Sequence, residues 1–287
     1  MVNDWDPKRM KLRQLSLSRR TLTVFAAYVA MVSLAIGAHA ALNKRPLEAP
    51  KMVATEQGVV PVQASRVALI IGNGHYPDAN HPLQQPINDA RELGAALRQN
   101  GFDVDVVEDA TKDDMSRAVE RLKAKVGPDT VVMLFFGGFG VQAGRESFML
   151  PVDAAIWKEG DVRRDGLSVE HVLAAMDEKG AKAKLVVLDA SRRNPYERRF
   201  RSYSHGLAPI SPPENTLVIS SATPGKVTEE SKATNSVLVS ELLNNLKTQG
   251  GIESAFNKTR VSISRASEGE QVPSVSSSLL EDIRLGG

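Results

Sequence analysis

The chain has 287 residues, of which 42% are hydrophobic and 24% charged, so it is long enough for one sizeable globular domain with extensions. It contains no cysteine, which excludes disulfides, thiolate metal sites and cysteine nucleophiles. The formal charge is +2, but residues 1–40 carry six basic and two acidic residues, so the remainder is mildly acidic and gives no reason to expect nucleic-acid binding.

Residues 1–42 predict a signal peptide or a membrane anchor. Basic residues precede an uncharged run at 21–42, about long enough to cross a bilayer (~20 residues). Residues 38–40, Ala-His-Ala, match a cleavage site, and residues 18–22 resemble a twin-arginine export signal, although Thr23 is a poor match. Both the cleaved and the anchored form predict an exported protein, either periplasmic or anchored in the inner membrane and facing the periplasm.

Residues 43–64 contain three prolines and no sustained periodicity. This pattern predicts a flexible linker. The predicted organisation is therefore a leader or anchor at 1–42, a linker at 43–64 and a domain at 65–287.

The domain alternates predicted strands and helices. Apolar or alternating runs predict strands at 66–72, 102–108, 129–136, 184–189 and 216–222, with a further short strand within 279–285. Apolar residues at helical spacing, with capping residues at the starts, predict helices at 86–101, 111–126, 168–180, 236–248 and 252–266. This β-α-β-α order predicts an α/β fold in which a mainly parallel sheet is covered by helices on both faces, a three-layer α/β/α sandwich.

In such sheets, functional residues collect at the carboxyl ends of the strands. Three strand ends are distinctive: "IIGNGHYPDANHPLQQPINDA", "FFGGFGVQ" and "LDASRRNP". The glycines fit neither the dinucleotide fingerprint nor the P-loop. We expect them instead to let the backbone turn sharply after each strand.

Together these segments resemble the caspase-like peptidases (peptidase C14, clan CD), most closely the bacterial caspase-domain proteins related to metacaspases. The resemblance is carried by G-N-x-x-Y after the first strand, P-x-N-D-A at the first helix, and the later blocks "GLAP", "ATPGKV", "NSVLVSELL" and "PSVSSSLLED". It covers about residues 66–285 and implies the caspase-like α/β/α fold.

The resemblance also implies two degenerate catalytic positions. In the family, the third strand ends in Y-A-G-H-G, with the catalytic histidine, and the fourth in L-D-A-C-R-N-N-P, with the nucleophilic cysteine. Here Phe139 and Ser191 occupy these places, at the spacing of about 50 expected for a caspase-type pair. The family pattern further implies an oxyanion hole from the N–H groups of Gly140 and Ser191, and an acidic pocket for a basic P1 side chain from Asp89 and Asp189.

Phenylalanine transfers no proton, and serine needs a positioned base to attack a peptide bond. We therefore expect a catalytically degenerate domain that binds a peptide or protein partner with a basic side chain, without a cofactor or metal. Two alternatives stay open. One is a hydrolase in which Ser191 borrows a loop histidine, namely His75, His81 or His205. The other is a structural module in an envelope assembly.

Two further segments have a simpler explanation than function. The five arginines within 192–201 are expected to form a solvated loop, although they would also suit an acidic partner or an anionic lipid. The stretch "DVDVVEDATKDD" lacks the glycine and the final glutamate of a calcium loop. Asp103 and Asp105 are therefore expected on the polar face of a strand.

Overall fold

A computed structural model describes residues 65–77, 82–191, 206–228, 231–247 and 250–285. Its main sheet has six strands in the order β2-β1-β3-β7-β8-β9, and all neighbouring pairs are parallel except the last. A smaller antiparallel sheet has the order β4-β5-β6. The strands are β1 (Arg66–Gly72), β2 (Asp103–Glu108), β3 (Val131–Gly137), β4 (Gly140–Ala143), β5 (Glu146–Met149), β6 (Leu167–Ser168), β7 (Ala183–Asp189), β8 (Thr216–Ser220) and β9 (Ser274–Ser277).

The described helices are α1 (Gln85–Gln99), α2 (Lys112–Lys125), α3 (Glu159–Asp165), α4 (Val169–Glu178), α5 (Val237–Leu246) and α6 (Ile252–Ala266). The predicted start of α2 is confirmed, because Thr111 and Asp114 form a reciprocal capping box. Ser168 and Ser236 likewise cap α4 and α5, because each side chain accepts the backbone N–H of the third residue of its helix.

Alternation along the strands divides the core into two layers. In β1, Leu69 and Ile71 pack against α2 and α4, whereas Ala68 and Ile70 pack against α1, α5 and α6. The central strands β3 and β7 are buried along their whole length, as expected when helices cover both faces of a parallel sheet. The predicted α/β/α sandwich with a mainly parallel sheet is thus confirmed.

The predicted strand within 279–285 is wrong, since the last strand is β9. It pairs antiparallel with β8 through the register Ile219↔Val275. The serine-rich β9 has only one apolar residue, Val275, which packs against the core, and its backbone hydrogen bonds to β8 place it at the edge of the sheet. The apolar residues that suggested a strand, Ile283 and Leu285, instead pack their side chains into the layer of α1, α5 and α6.

The small sheet and α3 were not predicted, because β4, β5 and β6 have only four, four and two residues. No described helix combines the length and apolarity that a membrane span requires. The predicted leader or anchor and the linker lie outside the described residues.

Candidate active-site cleft

The carboxyl ends of β1, β3 and β7 bring the starts of all three distinctive segments side by side. Gly137 is in register with Gly72 on one side and with Asp189 on the other. Beyond the strands, the N–H of Gly138 donates to the carbonyl of Asp189 at 3.2 Å. The backbones that lead to Phe139 and to Ser191 are therefore bonded to each other.

Phe139 fills an apolar cluster beneath the small sheet. Its side chain is 6% exposed, and its ring meets the Tyr76 ring edge-on, with centroids 4.7 Å apart. The N–H of Phe139 donates to the Tyr76 hydroxyl at 3.1 Å, and that hydroxyl donates to the carbonyl of Leu150 at 2.9 Å. The ring thus has a packing role and cannot transfer protons.

Glycine is required at position 138, which has φ +154°. A Cβ atom there would lie 2.6 Å from the Tyr76 hydroxyl. Glycine is needed at 140 for a different reason, since a Cβ atom would lie 2.8 Å from the carbonyl oxygen of Ala190. The expected role of Gly140 in an oxyanion hole is not met in this conformation, because its N–H donates to that same carbonyl at 2.9 Å.

Ser191 is buried, with 1% of its surface exposed. Its carbonyl accepts the N–H of Thr228 at 2.6 Å, and Gly206 lies so close that a Cβ on it would approach the Ser191 Cβ to 3.6 Å. We call residues 206–208 the strap. The Ser147 hydroxyl holds it by accepting the N–H of Ala208 at 3.1 Å and donating to its carbonyl at 3.4 Å.

Neither of the two described histidines, His75 and His171, makes a hydrogen bond to Ser191. Nδ1 of His75 lies 2.6 Å from the carboxylate of Asp109, which also accepts the backbone N–H groups of Gly74 and His75. His171 is exposed on α4. The other candidates, His81 and His205, lie outside the described residues together with the arginines of 192–201.

Asp89 and Asp189 form a buried acidic pair. Asp89 lies on α1 and is fully buried, and Asp189 ends β7 with 2% of its surface exposed. Burial, and secondarily the charge of Asp189, raise the pKa of Asp89 to about 7, against hydrogen bonds from Ser236 that lower it. One Asp89 oxygen accepts the N–H of Ser236 at 3.0 Å.

The other oxygen of Asp89, Oδ2, has no hydrogen bond of good geometry within the described part of the chain, although the Asn235 side chain is close enough to lower the pKa of Asp89. The same holds for the buried Nδ2 of Asn235, next to Ser236. A cavity of about 10 Å³, at the lower limit for one water molecule, adjoins this region and is lined by Gln85, Asp189, Thr228, Ser236, Val237, Leu238 and Gln271. The cleft therefore contains unsatisfied polar atoms but, in this conformation, almost no free volume.

Several residues that shape the cleft were missed in the sequence. The side-chain amide of the buried Gln85 donates to the carbonyls of Ser231, Ala233 and Asn235, and so holds the loop before α5. No sequence signal marks Gln85 or Ser147. Asn73 and Tyr76 were identifiable, because the G-N-x-x-Y segment contains both.

The acidic stretch of β2 has the expected structural role. Asp103 pairs with Lys125 at 2.6 Å and Asp105 with Arg121 at 2.7 Å, so both carboxylates face α2. Among the described residues, no group of three or more potential ligands is placed to hold a metal ion.

Comparison with known proteins shows the family of this chain and two relatives. The profile of the caspase domain (peptidase C14) matches residues 65–284. Mucosa-associated lymphoid tissue lymphoma translocation protein 1 of Homo sapiens is 34% identical over 140 residues, which are 48% of this chain and 16% of that protein. Its homolog of Mus musculus is 34% identical over 145 residues, 50% of this chain and 17% of the relative. The matched part of the chain thus spans about one sixth of the length of these relatives.

Proposed function

The chain belongs to the caspase-domain family, and we propose that its domain binds a peptide or protein partner at the carboxyl ends of β3 and β7 without cleaving it. The observation that carries this proposal is the buried pair of Asp89 and Asp189, in which one Asp89 oxygen has no hydrogen-bond partner in the described chain. A buried carboxylate is stable only when it is paired or protonated. The Asn235 amide is the polar side chain beside this carboxylate and carries no charge, so a lysine or arginine side chain would supply the positive charge that the pair lacks.

We propose the loss of cleavage because Phe139 and Ser191 occupy the places of the family's catalytic histidine and nucleophilic cysteine. Phe139 has no group that accepts or donates a proton, and its ring packs against Tyr76. The hydroxyl of Ser191 has neither described histidine as a base, and the residue is covered by the strap. A serine without a base is a poor nucleophile at neutral pH.

Entry of a basic side chain requires the cleft to open. The cavity of about 10 Å³ is far smaller than an arginine side chain. Thr228 lines it and is fixed by its hydrogen bond to the carbonyl of Ser191. We therefore propose that binding displaces the segment around Thr228, which breaks this bond.

Binding is tested by titrating the full-length protein with a fluorescent peptide that contains arginine, and with the same peptide in which citrulline replaces arginine. Citrulline retains the shape of arginine but is uncharged. We expect the arginine peptide alone to bind, and Asp89→Asn together with Asp189→Asn to weaken binding by at least ~10-fold, as for loss of a buried charge partner. The matched control is Asp129→Asn, an exposed carboxylate.

Equal binding of both peptides, or full binding by the double variant, would refute the acidic pocket. Cleavage is tested with arginyl and lysyl reporters. Turnover that disappears in Ser191→Ala would show that the serine is a working nucleophile and would replace the binding proposal by a hydrolase.

We also propose that the domain is exported and either released into the periplasm or tethered to the inner membrane. The support is the basic N-terminal segment followed by the uncharged run at 21–42 and the alanine-rich cleavage pattern. A flexible linker at 43–64 would then separate the membrane or cleavage site from the domain.

A further inference from the structure

One exposed face of α6 carries three basic residues. Lys258, Val261 and Arg265 follow one another at spacings of three and four residues, so they lie on one face of the helix, with Arg260 at its flank. All four are exposed. Together these residues define the α6 face. Its opposite side, with Phe256 and Ile263, is buried in the core.

The cations of the α6 face are not used inside the domain. Within the described part of the chain, none of Lys258, Arg260 and Arg265 forms an ion pair or a side-chain hydrogen bond. Helix α2 shows the contrast, because four of its five cations are paired with carboxylates, in the pairs Arg117–Asp114, Arg121–Asp105, Lys123–Glu120 and Lys125–Asp103. The fifth, Lys112, donates to the carbonyl of Arg164. The charge of the α6 face is therefore available to a partner.

The centre of the α6 face is apolar. Val261 is 40% exposed between the basic side chains, and a shallow depression of about 240 Å³ is lined by Arg260, Val261, Ser264 and Arg265. An apolar residue ringed by cations on a single helix suits an anionic interface that has both charged headgroups and an apolar layer below them.

The start of α6 is also fixed next to the point where the chain enters the domain. Arg66, at the start of β1, donates to the carbonyls of Arg284 and Leu285. The neighbouring carbonyl of Ile283 accepts the N–H of Ile252, the first residue of α6. A tether that arrives at Arg66 therefore reaches the domain beside α6.

From these observations we propose that the α6 face docks on an anionic phospholipid surface, with the basic side chains at the headgroups and Val261 directed into the interface. This inference is independent of peptide binding at the cleft, because none of its residues lines that site. Basic residues near an anionic membrane surface contribute roughly fivefold each to binding, so three of them would supply on the order of 100-fold.

The test uses the absence of cysteine in the chain. Val261→Cys in the full-length protein gives a single attachment site for an environment-sensitive fluorophore. Its quenching by acrylamide is measured after reconstitution in vesicles of phosphatidylcholine alone and in vesicles with added phosphatidylglycerol. We expect the quenching constant to fall about threefold only in the phosphatidylglycerol vesicles, because a probe in the headgroup region is shielded from the quencher.

The matched controls change charge or probe position. A label at Ser116→Cys, on the exposed side of α2, should remain fully accessible to acrylamide in both vesicles. In the Val261→Cys background, K258Q/R260Q/R265Q should abolish the protection, whereas R117Q/R121Q/K125Q, which removes the same charge from α2, should leave it intact.

Three results would overturn the proposal. These are protection of position 261 that is equal in both kinds of vesicle, protection that survives K258Q/R260Q/R265Q, and no protection in either vesicle. Protection produced without vesicles by an acidic polypeptide such as polyglutamate, and not by phosphatidylglycerol, would assign the α6 face to an acidic protein partner instead.

Discussion

Asp89 shows how a single buried carboxylate couples stability, pH and binding. Its pKa of about 7 in the folded chain lies above the ordinary value of 3.8, so the folded protein binds this proton more tightly than the unfolded one. The stabilisation from protonated Asp89 is complete below pH 3.8 and is lost as the pH rises through about 7. A positively charged ligand would make the same carboxylate favourable in its ionised form.

The corresponding prediction concerns Asp89→Asn. The amide removes the cost of ionising a buried group, so the free energy of unfolding should rise by about 1–3 kcal/mol at pH 8 relative to the wild type. The gain should shrink towards pH 4, where wild-type Asp89 is protonated in the folded chain and partly protonated in the unfolded one. Urea denaturation at the two pH values measures this, with Asp129→Asn as the control, and a gain that is independent of pH would contradict it.

Phe139 and Ser191 lead to a second residue-scale prediction. The strand ends keep the two positions on neighbouring backbones. Phe139→His combined with Ser191→Cys should therefore restore cleavage after arginine or lysine, at least ~10²-fold above either single variant, because a base and a thiol act as a unit.

The assay is hydrolysis of arginyl and aspartyl reporters by all four combinations. The Phe139→His variants should also be less stable, because the apolar contact with Tyr76 is lost. An inert but folded double variant would show that the cleft no longer positions a peptide, and would favour a structural role.

At the scale of elements, the strap lies directly against the buried Ser191. It is fixed at Ala208 by one hydroxyl, that of Ser147, which is fully buried on β5. The backbone N–H of Ser147 in turn donates to the carboxylate of Glu170 on α4 at 3.1 Å. The small sheet is thus one connection between the strap and the body of the domain, beside the buried side chain of Leu207 in the main core.

We predict that Ser147→Ala loosens the strap. The change leaves the buried N–H of Ala208 without its partner, which costs about 1–3 kcal/mol. Hydrogen exchange at residues 206–208 should accelerate more than exchange in β3 and β7. The control is Ser116→Ala, on the exposed side of α2, which should leave the exchange pattern unchanged. An unchanged pattern in Ser147→Ala would show that other contacts hold the strap.

At the scale of the whole molecule, the distribution of charge separates a basic N-terminal segment from a mildly acidic remainder. The α6 face is a local exception to that balance, since three of its residues are cations that form no ion pair within the residues the structure describes. If the molecule is tethered through its N-terminal segment, an anionic membrane would therefore attract the basic α6 face. The same membrane would not attract most of the remaining surface, which is mildly acidic.

The whole-molecule prediction is topology. A reporter enzyme fused after residue 287, of a kind that works only outside the cytoplasm, should be active in a bacterial host. Removal of residues 1–42 should abolish that activity, because the predicted export signal is lost. Activity restricted to a cytoplasmic reporter in the intact fusion would exclude export.

The sequence by itself determined the fold class and the family, because both depend on short-range patterns. Alternating and apolar runs predicted the strands of the parallel sheet, and helical spacing with capping residues predicted α1, α2, α4, α5 and α6. The motifs at the strand ends were continuous in the chain, so they identified Phe139, Ser191, Asp89 and Asp189 as positions to consider. The exceptions were the short strands β4–β6, helix α3 and β9, whose length or composition gives too weak a pattern.

Only the tertiary structure decided what those positions are in contact with. The N–H of Gly140 is already bonded to Ala190, Ser191 is covered by the strap, and Asp89 accepts a hydrogen bond from Ser236, 147 residues away in the chain. These contacts join distant segments, and no local periodicity or motif encodes which distant partner a buried polar group finds. Burial and neighbouring charge, which raise the pKa of Asp89, likewise exist only once the chain has folded.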